Sequence, residues 1–298
     1  MSSFSPHWLA LREPLDASSR AAGLAASLCD DHGAVRSRST RLQIVDLGAG
    51  TGANLRYVAP LLAGAQDWLL VEHDPLLLAA VEGQLRTWSH ATQSQFTVSD
   101  GRIVVRGARF ECQVDSRALD LAVQLDSLPL RRGVLLTASA LLDLVSEDWL
   151  RRLMERAAAA EAAVWFALSY DGRIECGPAE AEDGEVRDLV NRHQRGDKGF
   201  GSALGPAAVD TACKILGEFG YQVQCASSDW CIGPDHTALQ HALVEGWYAA
   251  ASEIAPTREF TLGAWRVRRR AHIDSGRSTL RVGHADIVGR PAGGSGVG

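Results

Sequence analysis

No two of the six cysteines, Cys29, Cys112, Cys176, Cys213, Cys225 and Cys231, stand in a C-x-x-C pair. Zinc-knuckle and thiol-redox readings lose their support, and buried thiols in a reducing compartment are expected. No uncharged apolar run is long enough to span a bilayer, and residues 1–8 hold no basic region followed by an apolar stretch. A cytoplasmic protein without a membrane partner is expected. Basic charge is also short: the formal net charge is −6 at pH 7, which speaks against broad contact with a phosphate backbone. Nucleic acid is therefore an unlooked-for partner, no metal is expected, and the oligomeric state stays unassigned.

What is present suits one α/β domain. With 298 residues, 46% hydrophobic and 22% charged, the chain can bury a large core. The expected layout is a single domain over residues 1–290. It carries an N-terminal cap at 1–40, a hairpin insertion at 94–110 and a lid at 176–205, before a flexible tail at 291–298.

The stretch from Arg41 to Asn54 carries the most information. An apolar run stops at Asp46 and breaks into Gly48, Gly50 and Gly52, reading as a buried strand, a tight turn and a helix. Residues 48–53 satisfy the loose pattern G-x-G-x-x-G/A, so a nicotinamide or flavin cofactor is one possibility. Asp46 points elsewhere: a carboxylate at the strand tip would repel a pyrophosphate but could hold an ammonium group.

Residues 45–52, Val-Asp-Leu-Gly-Ala-Gly-Thr-Gly, resemble motif I of the class I S-adenosylmethionine-dependent methyltransferases. The resemblance implies S-adenosyl-L-methionine as cofactor. It also implies a Rossmann-like, doubly wound sheet of seven strands in the order 3-2-1-4-5-7-6, the last antiparallel, with helices on both faces. The implied cofactor residues are Asp46, Gly48, Ala49, Gly50 and Gly52 at the turn, then Glu72 and His73 after the second strand. Asp120 and Leu121 follow the third strand, and Ser139 ends the fourth. Glu72, closing the apolar run at 68–71, is placed to accept both ribose hydroxyls, and Asp120 to cap the adenine amino group.

Other segments bear on the acceptor. A helix is expected over 15–31, with Pro14 near its start and Gly33 after its end, covering the cofactor cleft. Arg12, Asp16 and Arg20 share four-residue spacing, and Arg12 or Arg20 is a candidate for a cofactor or substrate carboxylate. Further helices are expected at 54–63 and 75–89, and a hairpin at 96–106 around Asp100-Gly101. Residues 137–143 should face the substrate, with Asp143 as a candidate polar group. They lack the Asn/Asp-Pro-Pro-Tyr/Phe signature of enzymes that methylate base amino groups or glutamine amides. Residues 191–202 pack Arg192, His193, Arg195 and Lys198 among glycines. They read as a lid whose cations meet an anionic group, with His193 as a general base. Trp230 follows a strand end and is a pocket candidate, whereas the basic run 266–270 reads as a solvated helix face.

The expected function is methyl transfer from S-adenosylmethionine to a small, anionic metabolite. Alternatives are an RNA- or ribosome-directed methyltransferase, an NAD-dependent oxidoreductase, for which no Tyr-x-x-x-Lys constellation stands out, and a non-catalytic cofactor-binding protein.

Overall fold

The computed structural model describes residues 5–26, 41–99 and 101–292. Cys29, Gly33, Asp100, positions 27–31 of the expected helix and positions 293–298 of the expected tail lie outside the described residues.

The first apolar run forms β1 (Leu42–Leu47). Parallel neighbours flank it on both sides, β2 (Gly64–Glu72) and β6 (Leu135–Ser139). A central parallel strand covered on both faces has no solvent side, so its sequence is nearly continuous in apolar residues. Beyond β2 lies β5 (Phe110–Ala118), and beyond β6 lies β7 (Ala163–Gly177), both parallel to their neighbours. The hairpin β3 (Gln95–Ser99) and β4 (Arg102–Arg106) adds antiparallel to β5. At the opposite end β10 (Thr279–Pro291) inserts antiparallel between β7 and β8 (Tyr221–Ser227), and the short β9 (Trp230–Ile232) pairs with its first residues.

Among the described residues the sheet thus has ten strands, not seven, in the order β3-β4-β5-β2-β1-β6-β7-β10-β8, with β9 beside β10. The hairpin and β9 are the additions. Set apart from them, the other strands follow one another across the sheet as third, second, first, fourth, fifth, seventh and sixth in chain order.

Helices cover both faces. Leu153 of α4 (Glu147–Ala159) and Ile215 of α6 (Ala208–Glu218) share a core with Leu47, Leu136 and Phe166. On the other face, Leu55 of α2 (Ala53–Val58) and Leu85 of α3 (Pro75–Ala91) pack with Ile44, Leu70 and Trp165. The same core takes in α5 (Asp183–Gln194), α7 (Thr237–Ile254) and α8 (Glu259–Asp274) through Val186, Val244 and Trp265. Each fully buried aliphatic or Phe side chain contributes about 1.5–3 kcal/mol. Capping marks several starts: Asp74 accepts from the Leu76 amide ahead of Pro75, and Ser146 accepts from the Trp149 amide ahead of Glu147 and Asp148.

The N-terminal helix departs from expectation. α1 (Pro6–Ser19) starts at Pro6 because the Ser5 hydroxyl accepts the Trp8 amide, leaving Pro14 inside the helix. It stops at Arg20, whose backbone is extended (φ −59°, ψ 143°), and helix resumes over residues 22–26. Among the described residues, no helix is long and apolar enough to cross a membrane. Cys225 and Cys231 are exposed free thiols, against the expectation of burial.

Candidate functional site

The strand, turn and helix around β1 form the floor of a cleft. Gly48, Gly50 and Gly52 have φ of +61°, +54° and +81°, the left-handed region that glycine alone enters without strain. At Gly50 a Cβ would also stand 3.1 Å from Leu9 Cδ1 of α1. Two amides tie the turn to β2: Ala49 N–H donates to Val71 O (3.0 Å) and Gly50 N–H to Glu72 Oε2 (3.0 Å). The other Glu72 oxygen accepts from the amides of His73 (2.8 Å) and Asp74 (3.1 Å). Glu72 therefore braces the glycine turn, a duty its sequence position did not announce.

Asp46 is fully buried. Its Oδ1 accepts from Asn54 Nδ2 (2.8 Å), while Oδ2 is sealed from solvent without any hydrogen-bond partner. Burial pushes its carboxyl up to about 7, against the Asn54 hydrogen bond and the Arg20 charge, with the Glu72 charge adding to the rise. Asn54 Nδ2 also donates to Thr137 Oγ1 (3.0 Å), which in turn donates to Trp165 O (2.8 Å).

α1 roofs this floor with Leu9, Arg12 and Asp16, and Ser139 closes the β6 side of a cleft of about 410 Å3 that opens to solvent. Arg12 Nε donates to Asp16 Oδ2 (2.7 Å), Trp230 Nε1 donates to Asp16 Oδ1 (3.0 Å), and the Arg12 guanidinium lies 5.4 Å over the Trp230 ring. The guanidinium is thereby held in place on two sides. Burial raises the Asp16 carboxyl, opposed by Arg12.

The cleft brings together Arg12, Asp46, Gly48, Ala49, Gly50 and Ser139 from the expected set. Gly52 turns into the core, facing Arg56 and Leu70. His73 is exposed beside Glu72. Asp120 Oδ1 accepts from the Ala122 amide (2.9 Å), and the buried Leu121 offers its carbonyl to Trp149 Nε1 (2.7 Å), so this pair builds the β5 exit turn and lines the cleft at no point.

Asp143 lies in a 3-10 turn (Leu142–Leu144) after β6. It is buried with Oδ1 unpartnered, and burial pushes it up to about 6, against hydrogen bonds from backbone amides, Tyr170's among them, and the charges of Arg12 and Lys198.

Five expected substrate residues, and the expected base His193, take other places. Arg20 is a sealed ion-pair partner of Asp286 and does not reach the cleft. Arg192 and His193 belong to α5, which runs to Gln194, and not to a loop; Arg192 is exposed, and His193 Nε2 lies 3.3 Å from Glu253 of α7. Arg195 is exposed at the helix end, and Lys198 Nζ donates to His193 O (3.2 Å). The glycines that suggested a mobile lid are pinned, since Asp197 Oδ1 accepts from the amides of Gly199 (2.7 Å) and Gly201 (3.0 Å). Trp230 is buried and acts on the cleft only through Asp16 and Arg12.

Sequence reading missed Asn54 and His284. Asn54 had a usable signal, the first helical turn after a glycine turn. His284 had none: β10 brings it beside Tyr170 of β7, with ring centroids 6.1 Å apart and the Trp230 ring at 4.8 Å. Its Nδ1 pairs with Val282 O (3.1 Å), and burial, aided by the Arg12 charge, lowers it to about 4, so it is neutral at pH 7. Among the described residues no three His, Cys, Asp or Glu side chains are grouped to hold a metal.

No family model and no curated protein matches the sequence. Solved structures do. A cyclopropane-fatty-acyl-phospholipid synthase-like protein from Lactobacillus casei aligns with a TM-score of 0.50 at 12% identity, over 96% of this chain and 94% of that one. A phosphoethanolamine N-methyltransferase 2 from Haemonchus contortus, in complex with phosphomonomethylethanolamine and S-adenosylhomocysteine, aligns at 0.44 and 10% identity, over 97% of this chain and 59% of that one. The cyclopropane synthase MmaA2 from Mycobacterium tuberculosis aligns at 0.42 and 9% identity, over 84% and 79%. The first likeness shows a shared fold and no more.

Proposed function

We propose that this protein is an S-adenosylmethionine-dependent methyltransferase acting on a small molecule. The observation that carries the reading is Asp46: a fully buried carboxylate over a three-glycine turn, with one oxygen sealed and unpartnered. Such an oxygen is costly unless a cation meets it, and an amino-acid ammonium is the cation this cofactor would bring. A dinucleotide would bring a pyrophosphate instead, against the charges of Asp46 and Glu72.

Bound there, the cofactor would supply a methyl group already activated on a sulfonium. The chain's part is then to hold, orient and keep dry. Asp46 would face the ammonium, Glu72 the ribose edge, and the backbone of the glycine turn the cofactor's length. Leu9 and Arg12 shield the cleft from above. The acceptor would sit at the β6 end, where Ser139 lines the cleft and the charge of Arg12 acts on Asp143. Asp143, with its unpartnered Oδ1, suits the role of proton acceptor for a hydroxyl or amine, a role His193 cannot fill from α5. An anionic acceptor would find its countercharge in Arg12, whose charge also acts on Asp143.

Calorimetric titration decides the cofactor: S-adenosylhomocysteine is expected to bind and NAD(H) is not. Binding of NAD(H) alone would overturn the proposal. Transfer of labelled methyl from the cofactor into a metabolite extract then separates an enzyme from a binding protein.

A further inference from the structure

Beneath the cleft floor runs a chain of buried polar groups for which holding a ligand gives no immediate reason. Arg20 Nε donates to Asp286 Oδ2 (3.2 Å), joining positions 266 residues apart, and the side chains are 2% and 0% exposed. The Arg20 guanidinium is clamped between the rings of Tyr57 and Trp165, 4.6 and 4.9 Å from their centroids. Asp286 is held in turn by the amides of Ala21 (3.1 Å) and Leu168 (2.9 Å).

The chain then reaches Asp46. Arg20 Nη1 donates to Asn54 Oδ1 (3.0 Å), which fixes the orientation of the amide: its oxygen is engaged, so its NH2 must turn to Asp46 Oδ1 (2.8 Å) and Thr137 (3.0 Å). The charged groups around Asp46 are few. Arg20 comes from the bend after α1, Glu72 from β2 and Asp286 from β10, while Arg12 and Asp16 of α1 pair with each other. Asp286 offsets part of the Arg20 charge, and the remainder still favours the charged form of Asp46.

We infer that binding of an ammonium-bearing ligand in this cleft is coupled to release of a proton from Asp46, and that Arg20, acting through Asn54, is the positioning residue that turns this carboxylate and favours its charged form. The inference rests on the methyltransferase reading. At pH 7, where a group titrating at about 7 is half protonated, the arriving ammonium meets a carboxyl that must first lose its proton to solvent.

The test is titration with S-adenosylhomocysteine in buffers of differing ionisation enthalpy. Net release of about half a proton is expected at pH 7 and nearly one at pH 6, with affinity approaching a tenfold loss for each pH unit below 6. Deprotonation of the ligand's own ammonium limits the alkaline side. Arg20→Met should move the acid limb to higher pH, Arg20→Lys should leave it near wild type, and Asp286→Asn should move it lower by leaving the Arg20 charge uncancelled. Opposite shifts are a signature that loosened packing would not give. If Arg20→Met does not fold, the wild-type proton count and Asp286→Asn still decide. Binding without proton release, or shifts in one direction only, overturns this inference alone. No binding in any buffer overturns it together with the methyltransferase reading.

Discussion

At the scale of single residues, Asp46 shows how a site can be less stable than its surroundings by construction. Its folded-state carboxyl titrates at about 7 instead of the ordinary 3.8, so between those values the folded protein binds a proton that the unfolded chain has released. Stability attributable to Asp46 is therefore present at the acid end of that window and lost as pH rises through it. His284 works in reverse, since its value is lowered to about 4 and its contribution grows as pH rises toward 6.5. The clean measurement is thus a difference: thermal midpoints of ligand-free Asp46→Asn and wild type should diverge in favour of the variant between pH 5 and 7.5. The same substitution should weaken S-adenosylhomocysteine roughly 10- to 100-fold, as expected for losing one charged hydrogen bond. Unchanged affinity by calorimetry would remove Asp46 from the site.

Arg12 offers a second residue-level test. Among the described residues Asp16 engages its Nε alone, and Arg12 lines the cleft from its position over Trp230. If it faces the cofactor's carboxylate, Arg12→Gln should weaken S-adenosylhomocysteine more than 5′-methylthioadenosine, which lacks the amino-acid group. Equal losses for the two ligands would assign Arg12 to the acceptor.

At the scale of elements, the strand–turn–helix unit was readable because its physics is local. The backbone needs positive φ at Gly48, Gly50 and Gly52, and only glycine supplies that at small cost. Gly50→Ala should destabilise the protein by about 1–2 kcal/mol in denaturant titration and push Leu9 off the turn. α1 is less local. Its side chains reach the cleft only because Trp230, from a distant strand, holds Asp16 and through it Arg12. Ligand should slow amide hydrogen exchange across residues 6–19; unaltered exchange there would mean that α1 does not act as a cover. The segment 191–202 teaches the converse. Its cations and glycines suggested a mobile lid, but the apolar residues Val186, Leu189 and Val190 bury one face of α5. That packing carries helix through Gln194 and turns His193 toward Glu253.

At the scale of the whole molecule, the last strand is as close to the site as the first. β10 carries Asp286 and His284 back between β7 and β8, bringing Asp286 against Arg20 and His284 against Trp230. It also buries Ile287 and Val288 in the middle of the sheet. A chain ending before residue 279 should lose cooperative unfolding by circular dichroism and all binding of S-adenosylhomocysteine, although every residue of the glycine turn remains. Retained binding would show that the first half is self-sufficient.

The sequence by itself determined the parts whose causes lie within a few residues: the apolar strand, the three left-handed glycines, the acids at the ends of β1 and β2, and most helices through their caps and periodicity. The tertiary structure alone decided which charges meet. Arg20 faces Asp286, not a ligand, and Arg192 stands in solvent. A charged side chain reads the same in sequence whether it ends sealed against a partner or free in a cleft, because desolvation and pairing depend on neighbours that only the assembled sheet supplies.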